Sequence, residues 1–263
     1  MKCRRASGAL GAFVDDVSLA DAGAGTALHA DIAQALDEHQ VLFFPKQSIS
    51  AAELEAFALG FGELEDHPAY PKVSGTAVQI LESTPDKPSK IELWHSDMTF
   101  SATPPSLTIV QGKIIPEVGG DTLFSSAAAA FDALSEPLQT LLLSLSAEHD
   151  FANGFKESLA EPGGRERLQG ALDANPPVVH PLIRTHPTSK RRAIYVHCLP
   201  RGLWKCRRMR VRPCLSCYTS CVWLMSSRCG STGSPIRWWF GTMPLRYTSR
   251  LTISFRNTVC YTV

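Results

Sequence analysis

Apolar residues recur at helical spacing near the start of the chain and then give way to short apolar runs. Ala27–His39 has apolar side chains at three- and four-residue intervals, which predicts an amphipathic helix. The apolar run Val41–Phe44 follows and predicts a short buried strand. A second helix is predicted over Ala51–Phe61, because Ser50 can act as its N-cap and Glu53 lies at the spacing of a capping box.

Further strands and helices are predicted between residues 78 and 196. The strand candidates are Val78–Leu81, Ser106–Gln111, Thr122–Phe124, Pro176–Pro187 and Ala193–Val196. Ser126–Leu145 predicts a pair of helices broken near Pro137, and the polar, glycine-rich segment Ala152–Asn175 predicts a mobile loop or lid. This alternation fits either an antiparallel barrel with external helices or a βαβ fold, and periodicity alone does not choose between them.

The amino-acid composition changes abruptly near residue 197. All 25 acidic residues precede Cys198, whereas seven of the eight cysteines and four of the five tryptophans lie in residues 198–263. A soluble protein surface normally mixes both signs of charge, so a stretch of this length without carboxylates needs a cause. We therefore divide the chain into residues 1–197, part of a single domain, and residues 198–263, a tail that we expect to lack a native fold.

The properties of the whole chain exclude some classes of protein. The net charge of +1 gives no reason to expect a nucleic-acid partner. The sequence contains no apolar run of about 18 residues, so we expect no membrane span. The basic start Met1–Arg5 does not lead into a secretory signal, and a cytoplasmic protein is the expectation.

The local pattern with the most chemical meaning is His95-Ser96-Asp97, which follows Trp94. On an extended segment, residues i and i+2 project to the same side, so the imidazole and the carboxylate can reach one ion. Two such ligands and one distant histidine form the facial triad of non-haem Fe(II) oxygenases, which leaves coordination positions open. A His-x-Asp tripeptide also occurs often by chance, so the metal interpretation depends on its context.

Motifs spread over residues 8–197 resemble the taurine dioxygenase family in their order and spacing. They are His39-Gln40-Val41, Phe61–Leu64, His67–Pro71, Trp94–Asp97 with Pro104-Pro105, Gly119–Phe124, Ala147–Phe151 and Arg184–Pro187. The family consists of Fe(II)/2-oxoglutarate-dependent dioxygenases and includes taurine and chlorophenoxyacetate dioxygenases. The resemblance implies a mainly β fold with flanking helices, a double-stranded β-helix (jelly roll) with iron at the mouth of the barrel.

The resemblance also implies roles for single residues. His95 and Asp97 would be two of the three Fe(II) ligands, and Thr122 would hydrogen-bond a carboxylate of 2-oxoglutarate. With O2 as second co-substrate, the implied reaction hydroxylates a small organic acid, a sulfonate or a carboxylate, and releases succinate and CO2. Either a monomer or a homo-oligomer is compatible with the sequence.

Three further residues bear on the substrate. His67 and Tyr70 match positions that contact substrate in taurine-using relatives, although a structural turn histidine is the alternative for His67. Ile91 stands where those relatives carry a polar residue, which favours a less polar sulfonate or carboxylate over taurine. The other histidines are expected to be structural or surface residues: His29, His39, His149, His180 and His186.

The third iron ligand is missing from the chain. The family pattern requires a distal histidine and, eleven residues later, an arginine that pairs with 2-oxoglutarate, yet no histidine follows His197. In a shifted reading frame, each new codon consists of the third base of one codon and the first two bases of the next. The genetic code then permits a histidine at the junction of the Tyr247 and Thr248 codons and an arginine at the junction of the Thr258 and Val259 codons. We therefore interpret residues 198–263 as translated out of frame, which would leave the barrel incomplete at its C-terminal end.

Two other interpretations of the tail remain. Its cysteines could form a zinc module, although only one Cys-x2-Cys pair, Cys214 and Cys217, occurs beside Cys206, Cys221 and Cys229. Alternatively, the chain is a catalytically inactive, truncated product that lacks the distal histidine and arginine.

Overall fold

The computed structural model describes residues 1–8, 10–68, 70–84, 95–114 and 122–195. It also describes the backbone of four strand segments at residues 203–204, 229–230, 249–255 and 261–262. Within these ranges, no helix is long and apolar enough to cross a membrane.

Seven helices and sixteen strands lie in the described ranges. The helices are α1 (Ala27–His39), α2 (Ala51–Leu59), α3 (Ala127–Asp132), α4 (Glu136–Leu143), α5 (Phe151–Gly154), α6 (Lys156–Ala160) and α7 (Gly164–Ala174), with a 3₁₀ turn at Leu19–Asp21. The strands up to residue 195 are β1 (Lys2–Arg5), β2 (Ala12–Asp15), β3 (Leu42–Phe43), β4 (Leu64–Glu65), β5 (Gln79–Glu82), β6 (His95–Ser96), β7 (Thr108–Ile114), β8 (Leu123–Phe124), β9 (Ser146–His149), β10 (Val178–Pro181), β11 (Ile183–Thr185) and β12 (Arg192–Ile194). Beyond them lie β13 (Leu203–Trp204), β14 (Cys229–Gly230), β15 (Ser249–Phe255) and β16 (Tyr261–Thr262).

The strand pairing is antiparallel with one local exception. β2 and β3 are parallel and are connected through α1, so a βαβ unit forms near the start of the chain. Among the described strands, every other pair is antiparallel. Of the two fold alternatives that the periodicity left open, the antiparallel one therefore holds for most of the molecule.

The predicted helices near the start form where the capping residues place them. α1 spans Ala27–His39 as predicted, and the Thr26 side chain accepts a hydrogen bond from its first turn. α2 begins after Ser50, and Ser50 and Glu53 form both hydrogen bonds of the capping box. The strand predicted at Val41–Phe44 is shorter, Leu42–Phe43, and it is half-buried rather than buried.

The later predictions are confirmed in position, with shifted boundaries. The strands predicted at 78–81 and 106–111 correspond to β5 and β7, each displaced towards the C-terminus. The predicted helix pair corresponds to α3 and α4, and its break precedes Ser135, so Pro137 lies in the first turn of α4, where proline is tolerated.

The mobile loop predicted at Ala152–Asn175 is wrong, because the segment forms α5, α6 and α7. Phe151 and Leu168 are buried against Met98 and Phe100, so the segment is part of a packed core. Polar composition hid this periodicity: Leu168, Ala171 and Leu172 recur at helical spacing and form one apolar stripe.

Three apolar clusters hold these elements together. One packs α1 and α2 against β5 and β7, through Ile32, Leu54, Phe57, Val78 and Leu107. A second packs α3 and α4 on β9, β11 and β12, through Phe131, Leu142, Ala147, Leu182 and Ile194. The third is the Met98, Phe100, Phe151 and Leu168 cluster, which lies directly behind the His95-x-Asp97 motif.

Four segments of the tail pair with strands of the first domain. β15 pairs with β7 on one side and with β5 and then β4 on the other. β16 lies between β6 and β8, β14 pairs with β8, and β13 pairs with β9. Most of residues 198–263 lie outside the described ranges, so the expectation that the tail lacks a native fold stays a prediction.

Candidate active site

The His95 and Asp97 side chains meet on one side of a short strand and the turn that follows it. His95 belongs to β6, and its Nε2 lies 3.3 Å from Asp97 Oδ1. Their side chains are 19% and 28% exposed, so both are partly accessible to solvent. The structure therefore brings together the pair that the sequence motif predicts, in a geometry in which one cation could contact both groups.

The Asp97 carboxylate is oriented by a second hydrogen bond. The Thr108 hydroxyl, at the start of β7, donates to Asp97 Oδ2 at 2.7 Å, which leaves Oδ1 facing His95. Burial by itself would raise the pKa of Asp97, but the hydrogen bond and charge of His95, together with the Thr108 hydroxyl, outweigh it and lower that pKa below its ordinary value. Asp97 is therefore an anion at neutral pH, as a metal ligand must be.

The backbone turns sharply after Asp97. Met98 adopts a positive φ of 48°, a conformation that residues other than glycine rarely adopt, and its side chain is buried. The Ser101 N–H donates to the Met98 carbonyl oxygen at 2.9 Å and closes the turn. The strained residue follows a candidate ligand directly, as is frequent at functional sites.

The two predicted substrate residues lie next to each other and near Asp97. The His67 and Tyr70 rings are 4.5 Å apart, and the charge of Asp97 acts on the pKa of both. Burial lowers the pKa of His67 to about 4, and burial raises the pKa of Tyr70 to about 12. Both side chains are therefore uncharged at neutral pH and can offer hydrogen bonds but no second charge.

An aromatic wall extends from His67 towards the helices. The His67 ring lies 5.4 Å from Phe155 and 6.0 Å from Phe100. Phe151 stacks on Phe155 at 4.4 Å and meets Phe100 edge-on at 5.0 Å. The helices that replace the predicted loop thus supply aromatic surface beside the candidate site.

Thr122 lies next to a strand of the sheet that also contains the His95 strand. It is buried and lies immediately before β8, which β16 separates from the His95 strand β6. Among the described residues, no hydrogen bond joins Thr122 to the side chains of His95, Asp97, His67 or Tyr70.

Several residues named from the sequence lie outside the described ranges. They are Ile91, Trp94, Gly119, Gly120, Asp121, His197 and the tail cysteines Cys206, Cys214, Cys217 and Cys221, whereas Cys229 is described only as backbone of β14. In the part of the chain that the structure describes, no third His, Cys, Asp or Glu joins His95 and Asp97 in a metal-sized cluster.

A cavity of about 480 Å³ is lined by residues other than the candidate ligands. Its lining includes His29 and Asp37 of α1, Ser125, and the turn residues His186 and Arg191. None of the predicted site residues lines this cavity, so the candidate active site is identified by its chemistry and not by its size.

Three contributors to the site could not be found from the sequence. Thr108 is a common strand residue, Phe155 lies in the segment predicted as a loop, and His180 was expected to be structural or at the surface. His180 and its neighbour His149 are both buried. Phe151 and Phe155 are four residues apart, which is a helical spacing, but the polar residues that follow them predicted a loop instead.

Comparison with known proteins places this geometry in a family. Residues 4–209 match the model of the taurine catabolism dioxygenase TauD, TfdA family. An alkylsulfatase from Acinetobacter baylyi is 32% identical over 201 residues, 74% of this chain and 62% of that protein. An alpha-ketoglutarate-dependent sulfate ester dioxygenase from Pseudomonas putida is 33% identical over 197 residues, 72% of this chain and 63% of that protein. The chain thus spans somewhat less than two thirds of the length of these curated relatives.

The fold is shared with solved structures. AAD-2, whose crystal structure is a complex with Mn(II) and N-oxalylglycine, superposes with a TM-score of 0.72 at 19% identity, covering 98% of this chain and 99% of that one. Two dioxygenase structures from Burkholderia xenovorans also superpose on the chain, with TM-scores of 0.69 and 0.74, and proteins of this type have a jelly-roll fold. The antiparallel sheets, the His95-x-Asp97 pair and the match over residues 4–209 agree, and the chain belongs to the taurine catabolism dioxygenase TauD, TfdA family.

Proposed function

We propose that the active-site residues of this chain are those of an Fe(II)- and 2-oxoglutarate-dependent dioxygenase that hydroxylates a small organic acid. The observation that carries the proposal is the approach of His95 Nε2 to Asp97 Oδ1, which lie 3.3 Å apart on partly exposed side chains. One oxygen atom of O2 enters a C–H bond of the substrate, and the other enters 2-oxoglutarate, which leaves as succinate and CO2.

His95 and Asp97 would hold the metal. The donor set fits Fe(II), because an imidazole nitrogen and a carboxylate oxygen converge while Thr108 occupies the other carboxylate oxygen. When bound, Fe(II) would supply the activation of O2 that no side chain can perform. Thr122 would hydrogen-bond a carboxylate of 2-oxoglutarate, and its burial beside β8 suits a group that is withdrawn from water.

The surroundings of His67 support an organic acid with an apolar body. His67 and Tyr70 are uncharged at neutral pH, and the Phe100 and Phe155 rings extend the wall. These groups favour a hydrocarbon or aryl portion, with hydrogen bonds but no countercharge from this side. A sulfate ester, a sulfonate or a carboxylate with such a body fits better than the short, zwitterionic taurine.

A second candidate is a catalytically inactive, truncated product. It is favoured by the lack of any histidine after His197 and of any carboxylate after Cys198, so the tail cannot supply the third ligand. The family match ends at residue 209, close to this change of composition. An out-of-frame tail accounts for both observations. The cytoplasmic location and the oligomeric state stay predictions.

Succinate formation tests the proposal. The purified chain and a version with the alternative reading frame restored after His197 would each be incubated with Fe(II), ascorbate and 2-oxoglutarate under air, with an alkyl sulfate, an alkyl sulfonate and an aryloxy acid offered separately. Succinate that requires both iron and a particular substrate, and that disappears in His95→Ala, supports the dioxygenase. Background succinate from the present chain beside turnover by the restored version supports the inactive product, and background succinate from both refutes the dioxygenase.

A further inference from the structure

A buried histidine lies behind the turn that carries Asp97. His180, on β10, is 7% exposed, and its Nε2 lies 3.0 Å from the Thr99 carbonyl oxygen and 2.9 Å from the Ser101 carbonyl oxygen. Carbonyl oxygens only accept hydrogen bonds, so Nε2 must carry the hydrogen and donate to both of them. One imidazole N–H therefore ties two backbone groups of the turn together, from a strand about eighty residues further along the chain.

The turn after Asp97 has a backbone conformation that requires stabilisation by groups outside the turn. Met98 adopts a positive φ, so the backbone conformation that follows Asp97 is one that the chain does not favour by itself. Within the turn, the Ser101 N–H donates to the Met98 carbonyl oxygen. The conformation of this turn sets the direction in which the Asp97 carboxylate leaves the backbone.

The His180 ring is itself held on several sides. Tyr195, which is 1% exposed, meets the ring edge-on at 5.4 Å, and His149 does so at 5.2 Å. The Arg184 guanidinium lies over the Tyr195 ring, 4.6 Å from its centre. The pairing of β10 with β9 places His180 opposite Ala147, on the edge strand of a three-stranded sheet. A donor on so rigid a support can impose a conformation on the turn.

We propose that His180 is a positioning residue for the metal site: its Nε2–H holds the Thr99 and Ser101 carbonyl oxygens and thereby fixes the turn that presents Asp97. The link to a metal rests on the proposed function, whereas the hold on the turn does not. Removing the donor should loosen the turn locally and weaken metal binding, without touching either candidate ligand.

Two substitutions at position 180 separate the donor from the volume of the side chain. His180→Met removes the donor, and His180→Gln keeps an amide N–H at a similar distance from the backbone. Leu168→Ala is the control for loss of packing, because Leu168 is buried in the apolar cluster of Met98 and Phe100 and its side chain carries no hydrogen-bond donor. The three variants and the parent chain would be compared by hydrogen exchange and by titration with Co(II), followed by its visible absorption.

The expected result is specific to the donor. In His180→Met the Ser101 amide should exchange at least about 10-fold faster than in the parent, and Co(II) affinity should fall about 10- to 100-fold. His180→Gln and Leu168→Ala should stay close to the parent in both measurements.

Other outcomes overturn the proposal. Unchanged Ser101 exchange in His180→Met, an equal increase in Leu168→Ala, or no rescue by His180→Gln would each show a structural role only. If His180→Met does not fold, His180→Gln decides: retained exchange protection supports positioning, and lost protection refutes it. If the parent binds no Co(II), the titration is repeated in the chain with the alternative reading frame restored; no binding there means that the proposed function fails, while the exchange comparison still tests the hold on the turn.

Discussion

Residues 1–195 and the tail from residue 198 contribute strands to the same sheets, yet they differ in the functional side chains that their sequences contain. In the first region, side chains determine local structure: Ser50 and Glu53 cap α2, and Thr108 orients Asp97. In the tail, β15 and β16 occupy positions inside sheets, but the sequence offers no acidic residue and no histidine. Strand pairing uses backbone groups that every residue except proline has, whereas an active site requires particular side chains.

The difference matters most beside the candidate ligands. β16 lies between β6, which carries His95, and β8, which follows Thr122. A tail strand therefore reaches the neighbourhood of the site with a sequence that cannot ligate a metal through histidine or a carboxylate. A segment can thus pair correctly with the strands of a sheet and still lack the side chains that the active site requires.

Restoring the alternative reading frame after His197 should have the largest effect, because it should give the tail the side chains that the active site lacks. The corrected chain regains a histidine across Tyr247 and Thr248 and an arginine across Thr258 and Val259. We expect iron- and 2-oxoglutarate-dependent succinate formation from the corrected chain and only background from the present one, because two protein ligands hold Fe(II) far less tightly than three and the restored arginine pairs with 2-oxoglutarate. Equal activity of the two chains would contradict the out-of-frame interpretation.

Removing a candidate ligand should have the next largest effect. Asp97→Ala should weaken Co(II) or Fe(II) binding by the corrected chain by more than about 100-fold, beyond what the loss of an orienting residue costs. Isothermal titration would measure it, with Asp173→Ala, an exposed aspartate of α7, as control. A parent-like affinity in Asp97→Ala would exclude Asp97 as a ligand.

Removing the hydrogen bond to Asp97 should have a smaller effect. Thr108→Val should weaken metal binding about 10- to 100-fold and raise the pKa of Asp97, since Oδ2 loses its donor. In metal-free protein it should lower the free energy of unfolding at pH 7 by about 1.5–3 kcal/mol. The pKa of Asp97 is lowered in the folded state, so this loss should vanish as acid protonates the carboxylate. Denaturant melts at pH 7 and in acid, with Thr103→Val as the exposed control, would measure it.

The buried, uncharged His67 predicts a stability change in the acid range. Its pKa is about 4 in the folded protein against an ordinary 6.5, so the unfolded chain takes up the proton first as the pH falls. The free energy of unfolding should therefore decrease by on the order of 2 kcal/mol between pH 6.5 and pH 4. His67→Phe should remove this component of the pH dependence. An unchanged pH profile in that variant would show that His67 is charged or exposed.

The smallest expected effect lies far from the site. Ser50→Ala removes the capping box of α2 and should lower the free energy of unfolding by about 1 kcal/mol. Activity of the corrected chain should not change, because α2 contributes to the core and not to the candidate site. Denaturant unfolding with Ser144→Ala as a comparison would measure it, since Ser144 ends α4 without capping an N-terminus.

Local features of the sequence determined the helices at the start, the motif and the family. Ser50 with Glu53 predicts α2 because capping involves residues three apart, and His95-x-Asp97 predicts converging side chains because the period of a strand is two. The change of composition near residue 197 is likewise visible without any structure. What these features share is that the interacting groups are close in sequence or are simply counted.

Only the tertiary structure decided which distant residues complete the site. Thr108 reaches Asp97 across eleven residues, and His180 reaches Thr99 across eighty-one. The segment predicted as a loop became α5, α6 and α7 because Phe151 and Leu168 could be buried against Met98 and Phe100, an apolar surface that exists only after folding. Propensity and spacing describe neighbours along the chain, whereas long-range hydrogen bonds and apolar burial depend on where the sheets bring the chain together.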